Sequence, residues 1–414
     1  MNKSYDVNNL EKMSLVMDPN QFELYFPNYE SKNSRNIAYT HNGVAKVDYE
    51  HKFYNVNENT EYGFEDSKIN AISFFSGAGG LDIGTQLAGV KVISSLDFDR
   101  DSVLTMKKNN FFKNSEHHLN NIANVSVLDY SKVLKKNNPD KLILVGGPPC
   151  QPFSKAGYWK TNENRLGNED PRNMIGQYLR LIEEVQPDGF ILENVESLLH
   201  PTNKIAIEGI KENLYRLGYN FIIFKANGID FGVPQKRKRV FVIASKNKEI
   251  KGEPLKTHGS IKDIILNPQL LPYEPVINWI GKFNDKRYAD KDELSLGKYS
   301  DDLLDVPPGK NYIALTEKNN YPNPKFIAGK RYWTFLLKLH PLEPSWTIIS
   351  QPGHYEGPFH WTSRRLRLQE IAGIQTFPED YEFVGSKRSI HKQIGNAVPP
   401  LLGKAIVKFL TSQI

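Results

Sequence analysis

The chain has 414 residues, 24% of them charged and 39% hydrophobic, with a formal net charge of +6. Its single cysteine excludes an internal disulfide and a zinc cluster built on thiolates, so no metal site is expected. No signal-peptide core opens the sequence and no apolar stretch reaches the roughly 20 residues of a membrane span, which predicts a soluble, cytoplasmic protein without membrane contact.

Residues 1–68 carry seven Lys/Arg against eleven Asp/Glu, leaving a surplus of ten positive charges on the rest of the chain, which suits a polyanionic partner. This first segment is Asn-rich and without sustained periodicity, and reads as an N-terminal extension. At "INAISFFSGAGGLDIG" an apolar run from Ile69 breaks into glycines and resumes as a helix: strand, turn, helix. Apolar runs recur at "VKVISSL", "KLILVGG", "GFILENV", "NFIIFKA" and "RVFVIA". Between "KLILVGG" and "GFILENV", Met174, Tyr178, Leu181 and Val185, with Ile175, Leu179 and Ile182 beside them, form the broad stripe of a helix packed on a sheet. Strands alternating with helices predict an α/β fold with a doubly wound, mostly parallel sheet. After Ser245 the rhythm stops. Residues 246–350 read as a smaller, loop-rich second domain, and 351–414 return to helix, with the last helix opened by Asn396 and with Pro399 and Pro400 near its first turn.

Gly77, Gly79 and Gly80 follow a buried strand, so their backbone can approach a ligand at the carboxyl edge of the sheet. A dinucleotide is disfavoured, because Asp82 stands where G-x-G-x-x-G requires its third glycine. Asp97 lies 18 residues after Gly79, close to the spacing at which an acid takes up a ribose hydroxyl pair, and Phe98 beside it can pack on an adenine. A nucleoside without phosphates satisfies both, and S-adenosylmethionine is the expected cofactor.

Cys150 in "GGPPCQPFS" ends the third run on that same edge, held on a stiff loop by Pro148 and Pro149. Glu193 in "LENV" ends the next, as a candidate acid. In "QKRKRVFVIA" period two places Gln235, Arg237 and Arg239 on one side and Lys236 and Lys238 on the other. Thiol, acid, guanidinium and methyl donor together suit addition of Cys150 to carbon 6 of cytosine. Glu193 then donates to the ring nitrogen, Arg239 holds the carbonyl oxygen, and a methyl group passes to carbon 5 of a base flipped out of its duplex.

"FFSGAGGLDIG", "GGPPCQPFS", "ILENV", "QKRKR" and "KQIGNAVPP" stand in the order of five motifs in the bacterial cytosine carbon-5 DNA methyltransferases of type II restriction-modification systems, and the chain resembles that family from about residue 69 to its end. The resemblance implies a DNA (cytosine-5-)-methyltransferase with the S-adenosylmethionine-dependent, Rossmann-like fold. It implies a catalytic and cofactor-binding domain at 69–245, a target-recognition domain at 246–350 and a segment 351–414 that completes the catalytic domain. Cys150 is then the nucleophile, with Glu193 and Arg239 on the cytosine and Arg237 in support. Cofactor contacts fall to Phe75, Ser76, Gly77, Gly79, Gly80, Leu81, Asp97, Phe98, Val127, Pro148, Asn396 and Ala397, and DNA contacts to Gln151, Ser154, Arg172, Asn194, Gln235 and Lys236. The implied partners are double-stranded DNA, bound by a monomer, and a cognate restriction endonuclease. The family's adenine-contacting Asp is assigned to Ser126, with Asp129 as its substitute, and Arg367 and Gln369 stand where Thr and Arg are commoner. A deaminase is disfavoured because Cys150 has no P-C-x-x-C partner. A non-catalytic DNA-binding regulator of the same fold and an RNA cytosine methyltransferase are the alternatives.

Overall fold

Six of the apolar runs become strands of one sheet in the computed structural model, which describes residues 37–40, 43–47, 49–57, 63–149, 174–246, 248–294, 297–329 and 332–414. The chain divides into two units. The larger comprises Phe53–Thr257, Thr347–Gln351 and Ile371–Ile414, and the smaller Met1–Lys52, His258–Trp346 and Pro352–Glu370.

In the larger unit the strands are β1 (Ile69–Phe74), β2 (Lys91–Asp97), β3 (Glu116–Leu119), β4 (Lys141–Gly146), β5 (Gly189–Val195), β6 (Asn220–Asn227) and β7 (Lys238–Ser245), in the spatial order β3-β2-β1-β4-β5-β7-β6. Every pairing from β3 to β5 is parallel, whereas β7 is antiparallel to both β5 and β6. The strand that the apolar pattern missed is β3, "EHHL". It sits at the sheet edge with every residue at least partly exposed, so no apolar run marks it.

The inner strands are apolar on both faces because both faces are covered. Ile72, Phe74, Leu144, Phe190, Leu192 and Val242 pack with Tyr178, Leu181 and Ile182 of α4 (Met174–Val185) on one side. Ala71, Ile143, Ile191, Phe241 and Ile243 pack with Leu402, Ile406, Val407 and Leu410 on the other. These last four belong to the closing helix α8 (Pro400–Gln413), so the chain's end completes the core begun at Ile69, each buried side chain contributing roughly 1.5–3 kcal/mol. Pro400 takes the first position of α8, where a missing N–H costs nothing. Asn396 ends the preceding helix α7 (Lys387–Asn396) and does not open α8 as the sequence pattern suggested, because Ala397–Pro399 are extended or turning between them.

The N-terminal segment contributes to this unit. The amides of Val56 and Asn57 donate to Asp380 at 2.9 and 2.6 Å, and the Asn57 side-chain Oδ1 accepts from the Phe111 amide at 3.1 Å. Further upstream, Ile37–Thr40 pairs with Gly43–Val47 as an antiparallel hairpin, short enough to need no sustained periodicity.

The smaller unit is built around Leu303, Val306, Tyr312, Leu315, Leu336 and Phe359. Its helices are short, such as Ile261–Leu266 and Ser300–Asp305, which is why no period was legible. Two buried bidentate pairs tie its loops: Arg364 to Glu370 at 2.6 and 2.8 Å, and Arg367 to Glu293 at 2.6 and 2.9 Å. Arg367, unusual for the motif, is thereby a tie between distant loop segments. Among the described residues no helix is long and apolar enough to cross a membrane.

Candidate active site

Strand order reverses between β1 and β4, and the chain after the two strands therefore diverges, leaving a crevice at their carboxyl ends. A cavity of about 570 Å³ fills it. Its floor is the loop after β1. Phe75 has φ 57° and Gly77 φ 53°, so the chain turns sharply enough for the Gly77 amide to donate to the Asp97 carboxylate at 2.7 Å. The other Asp97 oxygen accepts from the Asp99 amide at 2.8 Å. Burial pushes the Asp97 pKa up despite these two amides. Phe98 is 69% exposed and lines the cavity, a flat apolar face beside an acid.

The three glycines differ in their work. A Cβ on Gly77 meets nothing within 4 Å, so this cavity-lining residue faces open space. A Cβ on Gly79 would stand 2.2 Å from the Met106 sulfur, and one on Gly80 2.4 Å from the Val398 carbonyl. Gly79 and Gly80 therefore permit packing under the loop and lie outside the cavity lining. Ser76, Leu81, Pro148, Asn396 and Ala397 do line it.

Across the cavity, Glu193 at the end of β5 and Arg239 at the start of β7 pair at 2.9 Å (Nε to Oε1), brought together by the antiparallel register that sets Arg239 opposite Val195. Burial raises the Glu193 pKa, while the charges of Arg239 and Arg237 oppose the rise. A Cβ on Gly147 would lie 3.0 Å from Glu193 Oε2, so the glycine lets the carboxyl pack on the loop that leads to Cys150. Asn194 holds the same loop, its side-chain amide donating to the Pro148 carbonyl at 3.0 Å. Pro149, the residue before Cys150, also lines the cavity. Cys150, Gln151, Ser154 and Arg172 lie outside the described residues.

Arg237 is 1% exposed and donates to the Gly395 carbonyl at 2.9 Å, fixing the turn that presents Asn396. Alternation along "QKRKR" holds: Gln235 and Arg237 are buried, Arg239 faces the cavity, and Lys236 and Lys238 are more exposed. Two expected DNA contacts are placed differently. Gln235 is fully buried, donating to Gln375 at 2.9 Å and accepting from the Ile348 amide at 3.1 Å, and Asn194 is 3% exposed. Both polar side chains are consumed in joining loops. The Lys236 carbonyl accepts from the Thr347 hydroxyl at 2.8 Å.

Val127 does not line the cavity; its amide donates to Glu184 at 3.0 Å. Ser126 and Asp129 form a capping box with each other, so that carboxylate is already engaged, and the carboxyl end of β3 leads instead into Asn120 and Asn121. Unforeseen lining residues are Asp82, Asp99, Lys392 and Ile348–Ser350. Asp82, directly after the glycine loop, and Asp99, beside Phe98, carried a local signal; Lys392 and Ile348–Ser350 reach the cavity from distant sequence.

A parallel sheet with this order, one antiparallel strand and a cavity across its switch point defines the class: a Rossmann-like methyltransferase. The sequence pattern of the C-5 cytosine-specific DNA methylase family matches residues 69–412. Type II methyltransferase M.SacI of Streptomyces achromogenes is 32% identical over 372 residues, covering 84% of this chain and 94% of that protein. M.NgoFVII of Neisseria gonorrhoeae is 30% identical, covering 81% and 84%. Among solved structures, Schizosaccharomyces pombe Dnmt2 superposes with a TM-score of 0.57 at 16% identity, over 83% of this chain and 98% of that one. The Entamoeba histolytica methyltransferase EhMeth does so with 0.54 at 16% identity, over the same shares. At those identities the structures attest the fold. The chain belongs to the C-5 cytosine-specific DNA methylase family, and its activity is that of a DNA cytosine-5 methyltransferase.

Proposed function

We propose that the chain methylates carbon 5 of a cytosine flipped out of double-stranded DNA, using S-adenosylmethionine held over the Gly77 turn. The open space above Gly77, the exposed ring of Phe98 and the Asp97 carboxylate at the end of β2 fit a nucleoside. Asp97 would take the ribose hydroxyls and Phe98 the adenine, with Asn396 and Ala397 closing the far wall. When bound, S-adenosylmethionine supplies an electrophilic methyl carbon.

The observation that carries the reading is the Glu193–Arg239 pair, half-buried beside the Pro148–Pro149 loop and across the same cavity from Asp97. Burial raises the pKa of this carboxyl, which suits it to pass a proton to the ring nitrogen as the Cys150 thiolate adds to carbon 6. Arg239 steadies that carboxyl and the base's carbonyl oxygen. Once carbon 5 is methylated, loss of its proton and departure of the thiolate restore the aromatic ring. Arg237 and Asn194 act as positioning residues behind the turn at Asn396 and the loop at Pro148.

Within the smaller unit, His258–Trp346 with Pro352–Glu370 is assigned to target recognition, and the larger unit to catalysis. The names of the type II relatives support pairing with a cognate restriction endonuclease, and the monomer is the expected form. Transfer of radiolabelled methyl groups to duplex DNA tests the proposal: Cys150→Ser should abolish transfer and retain DNA binding. Retained turnover would remove the nucleophile, and transfer to tRNA in place of DNA would move the substrate class.

A further inference from the structure

Asp82 is the one lining carboxyl whose two oxygens have no hydrogen-bond partner among the described residues. It is fully buried in the first turn of α1 (Gly80–Leu87), directly after the glycine loop, and it lines the cavity. The Ser73 and Ser76 hydroxyls, bonded to each other at 2.9 Å, and its own amide stand close by without reaching hydrogen-bond geometry.

The cations of the cavity are engaged elsewhere: Lys392 with Asp99 at 3.1 Å and Arg239 with Glu193 at 2.9 Å. The titratable groups that face Asp82 are Asp97, from the end of β2, and Tyr381, from the C-terminal segment, whose hydroxyl donates to the Ala78 carbonyl at 2.8 Å. One repels a second negative charge, and burial keeps the other neutral. A carboxyl so placed has no counter-charge when ionised, only the nearby Ser73 and Ser76 hydroxyls and its own amide to favour that form. Burial accordingly pushes the Asp82 pKa to about 7.

We propose that Asp82 is the counter-charge by which this site distinguishes its cationic methyl donor from the neutral thioether left after transfer. The inference rests on the reading that the cavity holds S-adenosylmethionine. Donor and product share the adenine, the ribose and the amino-acid group, and differ by one methyl group and one positive charge at sulfur. That charge supplies what the surroundings of Asp82 lack. Binding the sulfonium therefore favours the ionised carboxylate and expels its proton, whereas binding the thioether leaves the carboxyl protonated. After transfer, the carboxylate is again uncompensated, which favours product exchange for fresh donor.

Calorimetric titration of the full chain with S-adenosylmethionine and with S-adenosylhomocysteine from pH 5.5 to 8.5 tests this. Groups common to the two ligands, and Asp97 with them, cancel in the ratio of dissociation constants. The preference for donor should rise at least about fivefold toward pH 7 and then level off, since a tenfold change follows each pH unit over which one extra proton is released. In wild-type protein near pH 6, buffers of different ionisation enthalpy should report more protons released on binding donor than product. In Asp82→Asn, confirmed folded by circular dichroism, the preference should be small and flat with pH. A wild-type ratio independent of pH, equal proton release for both ligands, or an Asn variant that keeps the rise would overturn the inference while leaving the cofactor reading intact. Failure of both ligands to bind wild type would overturn the two together.

Discussion

Glu193 and Asp82 show how one physical effect serves two ends. Burial raises both carboxyls, but Glu193 has a guanidinium at 2.9 Å and Asp82 has none. Glu193→Gln removes the proton donor and keeps the shape, so turnover should fall about 10²–10⁴-fold while S-adenosylmethionine still binds, as steady-state kinetics and calorimetry will show. Wild-type turnover should also decline as pH rises through the raised Glu193 pKa, because the acid is then spent before reaction. Asp82 has a consequence for stability. Its pKa is raised from 3.8 to about 7, so between those values the ligand-free folded state binds more protons than the unfolded one. Stability then falls as pH rises across that window, by an amount on the order of a few kcal/mol. Thermal unfolding of the ligand-free protein should find Asp82→Asn more stable than wild type at pH 8, with the advantage gone near pH 4.

Among the elements, the loop after β1 and the helix α8 carry opposite kinds of constraint. Gly77 and Gly79 both have positive φ, yet only Gly79 is also packed, against Met106 and Tyr381. Gly77→Ala should cost about 1 kcal/mol from backbone strain alone. Gly79→Ala adds a steric clash that forces Met106 or the loop to move, and should lower the melting temperature distinctly further; equal shifts would show that the clash is absorbed. Ile406 is fully buried between α8 and the sheet, and Ile406→Ala should cost about 2–5 kcal/mol in denaturant unfolding. A closing helix that a chain must wait to synthesise thus secures the strands made first.

At the scale of the molecule, charge is divided unevenly along the chain. Residues 69–414 carry the surplus of ten, and seven of the basic residues fall between Lys236 and Lys251 against Glu249 alone. Filter binding to duplex DNA should weaken steeply as salt rises, in a linear log–log plot, and neutralising Lys236 together with Lys238 should make that slope shallower. The two units also differ in how they are held: the larger by apolar layers on both faces of a sheet, the smaller by an aromatic cluster and two buried Arg–Glu pairs.

The sequence by itself determined the sheet's inner strands, the glycine turn, the acid at the end of β2 and the alternation through Arg239. All of these follow from local rules: a strand covered on both faces must be apolar throughout, period two assigns sides, and a sharp turn demands glycine. Polar residues obeyed no such rule. Gln235 and Asn194 look like surface residues available to DNA and are buried ties, and Arg367 looks like a departure from a motif and anchors to Glu293. Only the tertiary structure decided these placements, because a polar side chain is satisfied by whichever partner the fold brings within about 3 Å, and for Gln235 that partner, Gln375, lies 140 positions away along the chain.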